Sequence, residues 1–129
     1  MFFKKRAKHL VVGERGEKVA RREMKRMGLE ILHINYSVHN VGEIDIIARD
    51  GGCLVFTEVK TRSQKGFSRA GEAVNSDKRR KILLTAKYYS RQIGGEHLRY
   101  RFDVVEVYLN SRWTYEINYL ANAYNLDHI

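Results

Sequence analysis

Acidic residues and a lysine alternate with apolar residues in the segment from Gly42 to Arg62. Asp45 belongs to the first half of this segment, and Glu58 and Lys60 belong to the second half. Hard carboxylate oxygens, beside a lysine that can hold or polarise a water, suit Mg²⁺ or Mn²⁺ and phosphoryl-transfer chemistry. The alternative is an ion pair of Lys60 with Glu43 or Glu58 on the solvated face of a hairpin, which contributes little stability.

The elements that must position these side chains are predicted to form a β-hairpin. Ile44 to Arg49 and Leu54 to Thr61 are rich in β-branched and aromatic residues, and Asp50-Gly51-Gly52 lies between them. With Gly51-Gly52 as the central turn residues, Asp45 lies opposite Glu58, with Cβ atoms about 5 Å apart. With Asp50-Gly51 central, the two acids are diagonal neighbours on one face. Either register brings together two carboxylates that repel each other unless a cation lies between them.

A third acid, Glu17, lies in a helix predicted from Gly13 to Met27, with Gly28 as the residue after the helix end. Helical spacing places a small-to-apolar face along this helix, and Glu17 lies beside that face. The face comprises Val12, Gly13, Gly16, Ala20, Met24 and Met27. One explanation is that Glu14 and Glu17 favour the positive helix N-terminus, an effect of about 0.5 kcal/mol each. The other is that Glu17 points over the sheet and supplies a third carboxylate to the hairpin site.

The remaining pattern predicts a first strand over Leu29 to Tyr36, a second helix that ends near Ile93, and a second hairpin with strands over Arg101 to Leu109 and Trp113 to Tyr119. The packing stripe of the second helix comprises Ile82, Leu83, Ala86 and Tyr89. Asn75, Ser76 or Asp77 can cap the second helix. Asp103 and Glu106 are expected to be structural, since alternation places them on opposite faces. Core and edge packing, rather than base stacking, is expected for the aromatic residues Trp113, Tyr115, Tyr119 and Tyr124.

Cations crowd the first turn of the second helix, where the helix dipole disfavours them. Backbone N–H groups at a helix N-terminus bind phosphate, so Lys78, Arg79 and Lys81 predict an anion site. The loop before this helix adds Lys65. The alternative is a basic helix face that is simply solvated.

Composition indicates a single domain over residues 1–129 with a basic N-terminal arm over residues 1–12. The formal net charge of +9 favours a polyanionic partner, although charge alone cannot separate nucleic acid from an anionic membrane. One cysteine excludes an internal disulfide and fits a reducing compartment. We find no apolar stretch long enough for a membrane span and no signal-peptide core, so a cytoplasmic location is expected.

The order helix, three strands, helix, strand resembles the restriction-endonuclease-like fold, an α/β fold with a mixed central sheet flanked by helices. Its signature is an Asp, a variable gap and then Glu-x-Lys, and Asp45, Glu58 and Lys60 match it. More closely, the chain resembles the YraN-like family of small bacterial proteins. The matching residues are Gly13-Glu14-x-Gly16-Glu17, Gly28, Gly42-Glu43-Ile44-Asp45, Phe56-x-Glu58-Val59-Lys60-Thr61-Arg62, Glu72-Ala73-Val74, Lys78 and Arg101-Phe102-Asp103-Val104-Val105. Archaeal Holliday-junction resolvases are similar through the first helix and hairpin.

The resemblance implies a metal-dependent DNA endonuclease, structure-selective or non-specific, or else a nucleic-acid-binding module that kept the fold without the chemistry. In the first case Asp45 and Glu58 ligate Mg²⁺ or Mn²⁺, Val59 lends its backbone carbonyl, and Glu17 is an outer or third ligand. Lys60 then orients the attacking water or stabilises the pentacoordinate phosphate. Glu43 is an additional acid without an assigned role. The resemblance further implies phosphate contacts from Lys65, Lys78, Arg79 and Lys81, branched DNA as a substrate, and a homodimer, because two cuts need two sites.

Overall fold

Two helices and five strands make up the fold, and the computed structural model describes residues 8–63 and 76–125. In chain order the elements are α1 Lys8–Arg26, β1 Glu30–Val38, β2 Gly42–Asp50, β3 Cys53–Ser63, α2 Ser76–Gln92, β4 Arg99–Leu109 and β5 Tyr115–Tyr124. Lys65, the cap candidate Asn75 and residues 1–7 of the basic arm lie outside the described residues. Helix α1 begins at Lys8 rather than at Gly13, so the last part of the predicted arm is helical.

The strands form one sheet in chain order, β1-β2-β3-β4-β5. Strands β3 and β4 are parallel and the other neighbours are antiparallel. A parallel pair needs a crossover connection, and α2 lies in the segment that joins these two strands. The predicted fold class is therefore confirmed: a helix, a three-strand meander, a helix and a strand hairpin give a mixed sheet flanked by helices, consistent with a restriction-endonuclease-like core.

Each helix covers one face of the sheet with its own core, as the alternation of side chains along a strand requires. Ile46 and Ile47, neighbours on β2, belong to different cores. On the α1 face the largest fully buried side chain of the helix is Met24, beside Ala20. The α2 face is packed by the stripe predicted from helical spacing, which comprises Ile82, Leu83, Ala86 and Tyr89.

The end of α1 agrees with the prediction only in part. Gly28 has a φ of 95°, a left-handed conformation that favours glycine, and its N–H donates to the carbonyl of Lys25. Met27 was predicted on the buried face of the helix, and this prediction is wrong because its side chain is exposed. The chain leaves helical geometry at this residue, so the helical spacing no longer points it at the sheet.

The aromatic residues of the second hairpin do not all pack as predicted. Tyr119 is half-buried and donates a hydrogen bond to the fully buried Asp103. Trp113, in contrast, is 81% exposed, so its predicted packing role is wrong. It belongs to the turn beyond the last ladder pair, Leu109 with Tyr115, where there is no sheet face to receive it.

Neither helix within the described residues combines the length and the apolar character that crossing a bilayer requires.

Candidate active site

The hairpin between β2 and β3 turns at Gly51 and Gly52. Asp50 pairs with Cys53 across this turn. Gly51 has a φ of 60°, in the left-handed region that glycine adopts at little cost. The chain therefore adopts the first of the two predicted registers, with the two glycines at the centre of the turn.

The two strands separate at the level of the acids. Their last ladder pair is Ile46 with Thr57, and Asp45 and Glu58 are the next residues on the two strands. The backbone N–H of Val59 donates a 2.8 Å hydrogen bond to Oδ2 of Asp45. A side-chain oxygen thus accepts from the β3 backbone where the strand ladder ends, and this contact fixes the Asp45 carboxylate against β3.

A cavity of about 200 Å³ lies at this separation, on the side of α2. Its walls combine the acids of the hairpin with apolar and cationic side chains of α2 and an aromatic side chain of β5. The lining residues are Glu43, Ile44, Asp45, Phe56, Thr57, Glu58, Lys78, Ile82 and Tyr124. The structure therefore brings together Asp45, Glu58 and Glu43, as the sequence predicted.

Glu58 has one satisfied and one unsatisfied carboxylate oxygen. Its side chain is 12% exposed, and Oε1 accepts from Nζ of Lys78 at 3.1 Å. Oε2 is buried and has no hydrogen-bond partner among the described residues. Leaving a charged oxygen buried without a partner is costly. A hard cation at this oxygen would remove the cost, so Asp45 and Glu58 fit a divalent metal ion.

The electrostatics of Asp45 agree with this interpretation. Burial raises the pKa of its carboxyl from 3.8 to about 6. This net value already includes a lowering by the Val59 N–H and smaller increases from the charges of Glu17, Glu58 and Glu43. The acids thus leave an excess of negative charge at the site, which a bound cation would offset.

Glu17 approaches the site from the α1 side of the sheet. Helix α1 lies so close to β3 that a Cβ added to Gly16 would come within 1.8 Å of Oγ1 of Thr61. Glu17 follows Gly16, and burial raises the pKa of its carboxyl while Arg21 lowers it and Glu43 raises it. Glu17 therefore acts electrostatically on the same acids, although it does not line their cavity.

The three predicted carboxylate ligands are not assembled in this conformation. Across residues 8–63 and 76–125, no group of three or more His, Cys, Asp or Glu side chains is arranged to hold a metal ion. Asp45 and Glu58 remain a two-carboxylate pair. Glu17 would have to move toward them to become a third ligand.

Lys60 lies two residues beyond Glu58 and therefore on the same face of β3. Its partner in the parallel ladder is Glu106, which is buried and accepts a 2.8 Å hydrogen bond from Nδ2 of Asn118. Lys60 does not line the cavity that holds the two acids. Lys60 is thus close to Glu58 along β3 but outside the cavity. Its neighbour on β4 is Glu106, an acid that the sequence indicated only as structural.

The cations predicted at the start of α2 have different surroundings. Lys78 contacts Glu58 inside the cavity, which the sequence did not indicate. Arg79 places its guanidinium carbon 5.0 Å from the centre of the Tyr124 ring. Lys81 is exposed on the next turn, and Lys65 lies outside the described residues. Of the three predicted phosphate-binding cations that the structure describes, Lys78 is the one that contacts an acid of the pair.

Tyr124 is a site residue that the sequence analysis assigned only to packing. It lines the cavity, and burial, followed by the charge of Glu58, raises the pKa of its hydroxyl. The predicted last strand stopped at Tyr119, five residues short of it, whereas β5 continues to Tyr124. The apolar alternation ends before Tyr124, so no pattern in the sequence placed this ring at the site.

Comparisons with other proteins identify the family. The sequence model described as "Uncharacterised protein family UPF0102" matches residues 16–107. A UPF0102 protein of Caldicellulosiruptor saccharolyticus is 41% identical over 114 residues, covering 88% of this chain and 96% of the relative. A UPF0102 protein of Symbiobacterium thermophilum is 45% identical over 96 residues, covering 74% of this chain and 80% of the relative. The chain belongs to the UPF0102 family, which is the YraN-like family that its motifs resemble.

Proposed function

We propose that this protein is a metal-dependent DNA endonuclease, structure-selective or non-specific, that hydrolyses phosphodiester bonds. One observation carries the proposal: Asp45 and Glu58 meet where β2 and β3 separate, and Oε2 of Glu58 is buried without a hydrogen-bond partner in the described part of the chain. A sheet gains nothing from two such acids unless a cation joins them.

Asp45, Glu58 and the backbone carbonyl of Val59 would hold Mg²⁺ or Mn²⁺, with Glu17 as an outer ligand. When bound, such an ion polarises a phosphodiester oxygen and lowers the pKa of a water molecule. The N–H of Val59 keeps the Asp45 carboxylate oriented. Lys60 orients the attacking water or stabilises the charge that develops on the phosphate.

DNA is the proposed partner because the net charge of +9 accompanies an acidic centre. Lys78, Arg79 and Lys81, with Lys65 from the preceding loop, would contact phosphates without reading the base sequence. Binding through phosphates releases counterions, so affinity should fall steeply as salt rises. Two cuts in a branched substrate need two sites, and a homodimer would supply them.

A non-catalytic nucleic-acid-binding module is the second candidate. Two observations favour it: Lys78 already neutralises part of Glu58, and no three-carboxylate cluster is assembled among the described residues. In such a module the acids would only repel phosphate. Removing them would then strengthen binding, whereas in a nuclease it would abolish cleavage.

The deciding experiment measures cleavage of labelled linear, flapped, forked and four-way-junction DNA in Mg²⁺ and in Mn²⁺. Glu58→Gln is assayed in parallel with Glu30→Gln, a control that removes an exposed acid of β1 that pairs with Arg49 of β2. We expect cleavage by the parent and by Glu30→Gln, and none by Glu58→Gln. DNA affinity of all three proteins is measured in EDTA, where hydrolysis cannot occur.

Absence of cleavage on every substrate, together with tighter DNA binding by Glu58→Gln, would replace the nuclease with the binding module. Weak binding that does not respond to salt would overturn both candidates, because phosphate contacts must release counterions.

A further inference from the structure

The turn between β4 and β5 is an ordered projection rather than a loose loop. Ser111 organises it, since its Oγ accepts hydrogen bonds from the N–H groups of Trp113 and Thr114. The N–H groups of Asn110 and Ser111 both donate to the carbonyl of Thr114. Nη1 of Arg15 in α1 donates a 2.7 Å hydrogen bond to the carbonyl of Ser111, which ties the turn to the helix.

This turn presents the most exposed large apolar side chain among those the structure describes. Trp113 is 81% exposed, and the guanidinium carbon of Arg112 lies 5.2 Å from the centre of its ring. An exposed indole held in a hydrogen-bonded turn offers an aromatic face that a partner can cover. An aromatic ring beside an arginine is the combination that stacks on a nucleobase and contacts the adjoining phosphate.

The turn follows the C-terminal end of β4, whereas the acids lie level with the middle of that strand. Strands β3 and β4 run parallel, and Glu58 pairs with Val104, while the turn follows Leu109. The five residue steps from Val104 to Leu109 span about 17 Å at the usual rise per residue. A stacked nucleic-acid strand, which rises about 3.4 Å per nucleotide, would therefore cover this distance with about five nucleotides.

A cationic side chain lies between the two places. Arg62 shares a face of β3 with Glu58 and Lys60, and it pairs with Tyr108 near the end of the ladder. Its Nε is buried without a hydrogen-bond partner among the described residues. A guanidinium with an unsatisfied N–H can donate a hydrogen bond to a phosphate oxygen along this path.

We propose that the β4–β5 turn binds an unpaired base of the substrate, with Trp113 stacking on the base and Arg112 contacting the neighbouring phosphate. This inference rests on the proposed function and narrows it to DNA with a single-stranded segment or a branch about five nucleotides from the scissile phosphate. A fully paired duplex offers no free base face to Trp113, so the turn should bind DNA that has an unpaired base more tightly than blunt duplex DNA.

The test uses intrinsic fluorescence, because Trp113 is the single tryptophan of the chain. The full-length protein is titrated in EDTA with a single-stranded oligonucleotide, a forked duplex with one single-stranded arm and a blunt duplex of the same sequence. We expect quenching by the first two and little change with the blunt duplex. Affinities of the Trp113 variants are measured with labelled DNA.

Trp113→Ala should weaken binding of the forked DNA roughly 5- to 150-fold, the usual effect of losing one stacked base, and change blunt-duplex binding less than about twofold. Trp113→Phe keeps an aromatic face and should retain most of the affinity. Tyr88→Ala is the matched control, since Tyr88 is another exposed aromatic residue with an arginine over its ring, on α2. It should leave both affinities unchanged.

Unchanged Trp113 emission with DNA bound, or an equal loss of affinity for forked and blunt DNA, would overturn the inference and leave the proposed nuclease standing. The same holds if Tyr88→Ala weakens forked-DNA binding as much as Trp113→Ala does. A blue shift on vesicles of anionic lipid, without any response to DNA, would assign the turn to a membrane surface instead. Absence of DNA binding altogether would overturn both the inference and the proposed function.

Discussion

Nζ of Lys78 lies 3.1 Å from Oε1 of Glu58, so the first turn of α2 places a cation on an acid of the candidate metal site. The Lys78 side chain is 57% exposed, whereas that of Glu58 is almost buried. The ammonium group thus reaches inward from solvent to a carboxylate that also fits a divalent ion. A divalent ion bound as proposed would compete with Lys78 for the same negative charge.

This competition predicts that Lys78→Met binds Mn²⁺ more tightly than the parent, by about three- to tenfold, because a partly exposed ion pair contributes on the order of 1 kcal/mol. Isothermal titration calorimetry in the absence of DNA measures the affinity directly. Lys81→Met removes an exposed lysine of the same helix and should leave it unchanged. Equal or weaker Mn²⁺ binding by Lys78→Met would contradict the competition.

The close approach of α1 to β3 makes two glycines of one helix respond oppositely to alanine. At Gly16 an added Cβ would collide with Oγ1 of Thr61 at 1.8 Å, so Gly16→Ala should lower the free energy of unfolding by about 1 to 3 kcal/mol. At Gly13 nothing lies within 4 Å, and Gly13→Ala should raise it by up to about 1 kcal/mol through helix propensity. Urea unfolding followed by circular dichroism measures both.

A loss of stability at both glycines would indicate that α1 does not tolerate alanine at either position. The collision with Thr61 would then not explain the effect at Gly16. Thr61→Gly in the Gly16→Ala background removes the colliding side chain. It should recover part of the lost stability.

Local patterns in the sequence predicted the site only where they were regular. The period of two along β2 and β3, with glycines between them, placed Asp45 beside Glu58. The period of 3.6 along α2 placed its buried stripe. Both patterns hold in the folded protein, because one face of α2 is buried and the two faces of β2 pack into different cores.

Contacts between distant elements could not be predicted in the same way. The ion pair of Lys78 with Glu58 and the position of Tyr124 depend on how α2 and β5 cross the sheet. The exposure of Trp113 depends on where a ladder ends, which composition does not reveal. The sequence showed that the first turn of α2 carries several cations, but it did not show that Lys78 contacts an acid of the site.

The raised pKa of Asp45 predicts a pH-dependent stability difference. A carboxyl with a pKa of about 6 in the folded protein, above its ordinary value of 3.8, destabilises the folded state when it is ionised. Asp45→Asn should therefore raise the free energy of unfolding by about 1 to 2 kcal/mol at pH 8, and this gain should shrink as the pH falls toward 4. Urea unfolding in EDTA at several pH values measures the difference.

Asp50→Asn is the control for this titration, because its carboxylate is paired with Arg101 and gains nothing from neutralisation. It should not stabilise the protein at pH 8. A gain for Asp45→Asn that is constant from pH 8 to pH 4 would show that it does not come from the charge of Asp45.

The buried Asp103 predicts the largest loss of stability. Its carboxylate accepts hydrogen bonds from Nε of Arg101 at 3.0 Å, from the hydroxyl of Tyr119 and from the N–H of Asn122 at 2.8 Å. Asn122 has a φ of 52°, a left-handed conformation that is uncommon outside glycine, and the β4–β5 register shifts beside Asp103.

Asp103→Asn removes the buried charge that accepts all three hydrogen bonds, while Asp50 still pairs with Arg101, so it should lower the free energy of unfolding by about 3 to 5 kcal/mol. Tyr119→Phe removes one hydrogen bond of the same network and should cost only about 1 kcal/mol. Thermal and urea unfolding of the two variants measure the contrast. Because Asn122 precedes Tyr124 on β5, the loss of Asp103 should also loosen the wall of the cavity that holds Glu58. A loss below about 1 kcal/mol for Asp103→Asn would mean that the packing of β5, and not this network, holds that wall in place.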